Sequence, residues 1–197
     1  MNVSRRGFLK GVGTGAVSVA LTGVPLVLPP DAADAAEALA AGVKESTVRL
    51  NVNGAAYRVK VKSHWTLLEV LRREMALTGS KKICDRGSCG ACTVLMDGKP
   101  IYACSRLAIE MDGKTITTIE GLADGETPHP IQSAFMQNDG FQCGFCTSGF
   151  IMSTKGLLDK NPRPNSDEIK EALSGNICRC SAYRKILASA KAATQKG

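Results

Sequence analysis

The sequence predicts an α+β chain in two parts, a β-grasp sheet crossed by one helix and then a small four-helix bundle. Three observations lead there. Apolar and polar residues alternate on either side of the turn pairs Asn53-Gly54 and Asp97-Gly98. A capped apolar helix separates those two hairpins. After Gly121 the composition changes, and four helical stretches follow.

From Thr47, the residues Val48, Leu50 and Val52 alternate with Arg49 and Asn51, as in a strand with one buried face. Asn53-Gly54 supplies the positive φ angles of a two-residue hairpin turn, and Tyr57, Val59 and Val61 continue the pattern on the return strand. Thr66-Leu67-Leu68-Glu69 reads as a capping box, in which threonine and glutamate each satisfy an amide of the first turn. Leu67, Leu68, Leu71 and Met75 then line one face, and Gly79 is expected to end the helix. Thr93 to Met96 reads as a strand, Asp97-Gly98 as a turn and Ile101 to Cys104 as the partner strand, with a further β stretch from Thr115 to Ile119. Pro128-His129-Pro130 opens the second part. Its helices are expected at Ile131 to about Gly140, at Gly149 to Leu158 with a stop at Asn161-Pro162, at Ser166 to Leu173 and at Tyr183 to Ala193.

The eight cysteines fall into two groups of four with none left over: Cys84-x4-Cys89-x2-Cys92-x11-Cys104, and Cys143-x2-Cys146-x31-Cys178-x1-Cys180. Four thiolates are what one [2Fe–2S] centre takes, and x4 followed by x2 is the plant-type ferredoxin spacing. Gly87 and Gly90 lie inside the first loop, which suits backbone amides turned toward sulfur. Structural zinc sites more often pair two short Cys-x2–4-Cys knuckles. Disulfides remain a further option for eight cysteines, although dense bridging belongs to chains too small to build a core. A Rieske centre needs two histidines, and His64 and His129 are remote from every cysteine. The spacing of the second group follows no general rule, so zinc and disulfides stay open there. In either case its cysteines sit at expected helix ends, where free amides and partial positive charge favour an anionic group.

The chain has 197 residues and a formal net charge of +7. The basic residues are scattered, aromatics are few and no nucleic-acid motif is present, so nucleic acid is not an expected partner. Residues 1–35 read as a twin-arginine signal: Ser4-Arg5-Arg6-Gly7-Phe8-Leu9-Lys10, then an uncharged stretch from Gly11 to Leu28 and a small-residue site at Ala33-Asp34-Ala35. Retention as a membrane anchor is the alternative. Export by the twin-arginine translocase delivers a folded protein to the periplasm, which reconciles free thiolates with an oxidising compartment. Residues 36–45 read as a linker, 46–121 as the first domain and 122–197 as the second.

Three ordered motifs carry a resemblance over about residues 46–193. They are Cys84-Asp85-Arg86-Gly87-Ser88-Cys89-Gly90-Ala91-Cys92-Thr93-Val94, Gln142-Cys143-Gly144-Phe145-Cys146-Thr147 and Asn176-Ile177-Cys178-Arg179-Cys180. Together they resemble the small iron–sulfur subunit of the molybdenum hydroxylases, the xanthine dehydrogenase and aldehyde oxidoreductase family. The resemblance implies a plant-ferredoxin-like domain followed by a helical [2Fe–2S] domain. It implies that Cys84, Cys89, Cys92 and Cys104 hold an outer centre, and that Cys143, Cys146, Cys178 and Cys180 hold an inner one. It also implies that Gln142 contacts the molybdopterin cofactor of a large partner subunit. Arg179, between two cysteines, has no assigned role. Ser148 stands where many relatives carry proline. The implied function is electron transfer from the large subunit, which oxidises an aldehyde or N-heterocycle, to a FAD subunit or, outside the inner membrane, a c-type cytochrome. A stand-alone ferredoxin-like carrier and a zinc-stabilised interaction module are the competing classes.

Overall fold

The computed structural model describes residues 44–194. The expected leader and most of the expected linker lie outside them. Strands β1 (Glu45–Val52) and β2 (Ala55–Lys62) form a hairpin, followed by helix α1 (Leu67–Arg73), the hairpin β3 (Thr93–Met96) and β4 (Lys99–Tyr102), and β5 (Thr115–Thr117). The sheet order is β2-β1-β5-β3-β4, with β1 and β5 parallel and the other neighbours antiparallel. Helices α2 (Pro130–Gln137), α3 (Thr147–Lys160), α4 (Ser166–Leu173) and α5 (Tyr183–Ala193) follow.

Both tight turns form as the residue types require. Asn53 and Gly54 have φ of 53° and 84°, and Asp97 and Gly98 have 49° and 77°, the left-handed pairs that match strand twist. The inward residues Val48, Leu50, Val52 and Val61 pack with Leu67, Leu68, Val70 and Leu71 of α1, Val94 and Ile116 into one core. A second core joins Ile131, Phe135, Phe150, Ile151, Ile169, Leu173 and Ile186.

Several expected limits move, each for a local reason. β1 begins at Glu45, inside the stretch read as linker, because Glu45 still pairs with Lys62. Tyr57 keeps the alternation but is 41% exposed, since β2 is the sheet edge and the core ends before the turn. Helix α1 stops at Arg73, not near Gly79. Ala76 takes the left-handed conformation (φ 55°) and the Leu77 amide closes on the Leu71 carbonyl at 2.8 Å. Gly79 instead admits close packing: its amide donates to Glu120 Oε1 at 2.7 Å, and a Cβ there would strike Ile119. Cys104 falls beyond β4, on a 3-10 turn, Ala103–Ser105. β5 ends at Thr117, and Ile119–Gly121 is a 3-10 turn.

Helix α3 lies against β3 and β4 through its small residues. Gly149, Ser153 and Gly156 recur at spacings of four and three, so they share one helix face. A Cβ on Gly149 would collide with the Gly90 carbonyl oxygen, and one on Gly156 with the Pro100 ring. The absence of both Cβ atoms therefore sets how closely the helical half approaches the sheet. Gly149→Ala has no flexible neighbour to displace, because its obstacle is backbone. It should destabilise the fold by about 1–3 kcal/mol, the usual cost of overpacking. A lowered urea midpoint at unchanged slope would report this; an unchanged midpoint would refute the packing argument.

Candidate metal centres

The first cysteine group sits on the loop between α1 and β3, closed by the 3-10 turn after β4. Gly87 and Gly90 have φ of 72° and 70°, and Asp85 has 54°. This run of left-handed residues turns amides inward. The Gly87 amide donates to Cys104 Sγ at 3.2 Å, and the Ser88 amide to Cys84 Sγ at 3.4 Å. Burial opposes ionisation of Cys84, but the amides of Arg86, Ser88 and Cys89 together with the Cys89 thiol outweigh it and lower the thiol to about 7. Cys92 is different. Burial and the adjacent Cys104 thiol push it up to about 12.

The second group is built on helix ends. Cys146 is the N-cap of α3, Cys178 and Cys180 lie between α4 and α5, and Ala182 is the N-cap of α5. The caps of the five helices among the described residues divide in two. Helices α1, α2 and α4 carry complete capping boxes, from Thr66 with Glu69, His129 with Gln132 and Asn165 with Glu168. Helices α3 and α5 have no side-chain cap and no acid in the first turn. Their amides and positive dipole ends are left for whatever the cysteines hold. One of these amides, that of Ala182, already donates to Cys178 Sγ at 3.4 Å. Burial and the Cys178 thiol push Cys146 up to about 12, whereas Cys143, exposed and bonded by the Phe145 amide and the Cys180 thiol, is lowered.

All eight cysteines are free thiols. Among the described residues, no three His, Cys, Asp or Glu side chains converge on the single point that a lone ion needs. Within each group the thiols bond in pairs, Cys84 with Cys89, Cys92 with Cys104, Cys143 with Cys180 and Cys146 with Cys178, and charge coupling links the two pairs of each group. That disposition fits a [2Fe–2S] centre, in which four thiolates are divided between two irons. A cation also resolves the high thiol values, since coordination replaces the proton outright.

The two nests adjoin. The Ile177 amide donates to the Cys89 carbonyl at 3.0 Å. The buried carboxamide of Asn176 donates to the Gly90 carbonyl at 2.9 Å and accepts from Ser153 Oγ at 2.8 Å. The Tyr102 hydroxyl donates to the Gly175 carbonyl at 2.8 Å. Sequence reasoning missed this seam, because an asparagine and a tyrosine 74 residues apart announce no contact. Gln142 is exposed beside Cys143, as is Arg179 between Cys178 and Cys180, and neither side chain makes a hydrogen bond to the described residues. Ser148 is buried in the first turn of α3 with its hydroxyl unpaired among the described residues.

The 2Fe-2S iron-sulfur cluster binding domain family matches residues 50–118, and the [2Fe-2S] binding domain family matches residues 118–191. The aldehyde oxidoreductase iron-sulfur-binding subunit PaoA of Escherichia coli K12 is 40% identical over 96% of this chain and 87% of its own length. The nicotinate dehydrogenase small FeS subunit of Eubacterium barkeri is 43% identical over 76% of this chain and 96% of its own. The chain belongs to the small iron–sulfur subunits of the molybdenum hydroxylases. In fold, this small subunit matches the crystal structure of quinoline 2-oxidoreductase from Pseudomonas putida 86, with a TM-score of 0.74, 37% identity and coverage of 77% of this chain and 94% of that one. The small subunit is thus an electron-transfer component with two [2Fe–2S] clusters and a large molybdopterin-binding partner.

The thiol values order the reactivity of the metal-free small subunit, because the thiolate is the nucleophile. Iodoacetamide at about pH 8 should modify Cys84 early, with a rate that rises through pH of about 7, and leave Cys92 and Cys146 until last. Peptide mass spectrometry over a time course reads the order; early labelling of Cys92 or Cys146 would contradict it.

Proposed function

We propose that Cys84, Cys89, Cys92 and Cys104 hold an outer [2Fe–2S] centre, that Cys143, Cys146, Cys178 and Cys180 hold an inner one facing the large subunit, and that electrons pass from inner to outer. When bound, such a centre supplies one-electron redox capacity, which divides a two-electron substrate oxidation into single steps. The chain's own residues bind and tune. The Gly87 and Ser88 amides stabilise charge on the outer thiolates, and the bare N-termini of α3 and α5 do so for the inner ones. The Ile177–Cys89 hydrogen bond joins a residue next to an inner ligand to an outer ligand. That single contact carries the proposal.

The surroundings of the second cysteine group support a place for the inner centre on the partner side. Cys143 is exposed, and around its group Phe145 is 58% exposed, Ile177 51%, Phe141 41% and Tyr183 40%. Apolar side chains left in water beside an exposed ligand suit a partner that covers them. Gln142, exposed beside Cys143, is the residue proposed to meet the pterin of that partner. The relatives' names include an aldehyde oxidoreductase and a nicotinate dehydrogenase, so an aldehyde or an N-heterocycle is the proposed substrate class for the assembled enzyme.

The leader supports export by the twin-arginine translocase and a periplasmic location, with the large subunit carried out as a passenger. The final acceptor is then a FAD subunit or a c-type cytochrome. Anaerobic purification of the native assembly should yield about four irons per small subunit and co-purified molybdenum. Iron without molybdenum or a large chain would favour a free ferredoxin-like carrier, and zinc in place of iron a structural module. Phe145→Asp places a charge in the proposed contact. It should release the large subunit from the small one in a pull-down while the iron content stays unchanged. Arg5→Lys with Arg6→Lys should strand both subunits in the cytoplasm; continued export of the large one would refute the passenger reading.

A further inference from the structure

One ligand-bearing residue of the inner nest turns its own amide away from sulfur. The Cys178 amide donates to the Tyr183 hydroxyl oxygen at 3.0 Å. The turn that allows this passes through Ser181, which is left-handed at φ 59°, so the chain doubles back and the first residue of α5 reaches Cys178. The Tyr183 ring is held edge-on against buried Phe150, with centroids 6.3 Å apart and planes at 83°. Other amides of the nest do the opposite: those of Ala182, Phe145 and Cys143 bond to the sulfurs of Cys178, Cys143 and Cys180.

Hydrogen bonds to a centre's sulfurs are a main determinant of its reduction potential. Reduction of a bound centre would add one electron, and the added negative charge would fall in part on those sulfurs. Each N–H aimed at them favours the reduced state. A donor held by a phenol oxygen contributes little.

We propose that Tyr183 is a positioning residue that sets the potential of the inner centre, by capturing the Cys178 amide and withholding it from the sulfurs. The consequence is directional. A lower inner potential makes that centre the better donor to the outer one. This rests on the reading that Cys143, Cys146, Cys178 and Cys180 hold the inner centre, and it adds to that reading a specific control element on α5.

Tyr183→Phe removes one oxygen atom and leaves the ring on Phe150, so the test is close to a single-atom change. The assembled enzyme is titrated anaerobically with dithionite, and both centres are followed by EPR. The inner potential should rise by about 59 mV, which corresponds to a tenfold change in a one-electron equilibrium. The outer potential should stay where it was. Pulsed EPR in deuterated and ordinary water should show a new exchangeable proton coupled to the inner centre. An inner potential that does not move, or moves down, overturns the proposal. Loss of the inner signal with the outer retained also overturns it, since Tyr183 would then hold the nest together rather than tune it. Failure of the underlying ligand reading is distinguishable, because the unsubstituted enzyme would itself lack one of the two signals.

Discussion

The close approach of α3 to the first cysteine loop is the constraint on which the rest of the molecule depends. Gly149 brings its backbone against the Gly90 carbonyl, where no larger residue fits. The same carbonyl accepts from Thr93 Oγ1 at 2.6 Å and from Asn176 Nδ2 at 2.9 Å. With the Thr93 amide, which donates to it at 3.1 Å, three donors and a helix converge on one peptide between two cysteines of the outer nest. Because Asn176 lies two residues before Cys178, this convergence also fixes the start of the inner nest. A buried carboxamide with both ends bonded is worth more as a register device than as a source of stability, since either end left unpaired would cost about 1–3 kcal/mol.

The chain divides its helix termini according to use. Where a terminus only needs satisfying, a capping box satisfies it, as at Thr66, His129 and Asn165. Where a terminus faces the inner cysteines, the cap is absent and the first turn carries no acid. The outer nest reaches the same end by other means, with left-handed residues in a loop in place of helix dipoles. Both solutions aim backbone N–H groups at sulfur. They differ in exposure, since Cys143 is open to a partner while Cys92 and Cys104 are buried in the sheet domain's core.

Much of this was legible in the residues, and the reasons for success and failure are physical. Asn53-Gly54 and Asp97-Gly98 announce left-handed turns because few other pairs tolerate them. The limits of α4 and α5 are read as they form, Ser166 to Leu173 and Tyr183 to Ala193. The end of α1 was not legible, because an alanine, not a glycine, takes the left-handed position at residue 76. Gly79 misled for the same reason, being small for packing rather than for a turn. The cysteine groups are visible from spacing, but their juxtaposition is not. It arises from contacts such as Ile177 with Cys89, far apart in sequence and carried by backbone atoms that every residue possesses. Tyr183 likewise reads as the start of a helix, and only the fold brings its hydroxyl to Cys178.

A seam of hydrogen bonds joins the two cysteine nests, so two iron–sulfur centres held there would lie side by side. Low-temperature EPR of the fully reduced protein tests it directly, since two nearby paramagnetic centres perturb one another. Two reduced-state signals that split or broaden when both centres carry an electron are the expected result. Two signals that remain independent down to the lowest temperature would contradict it.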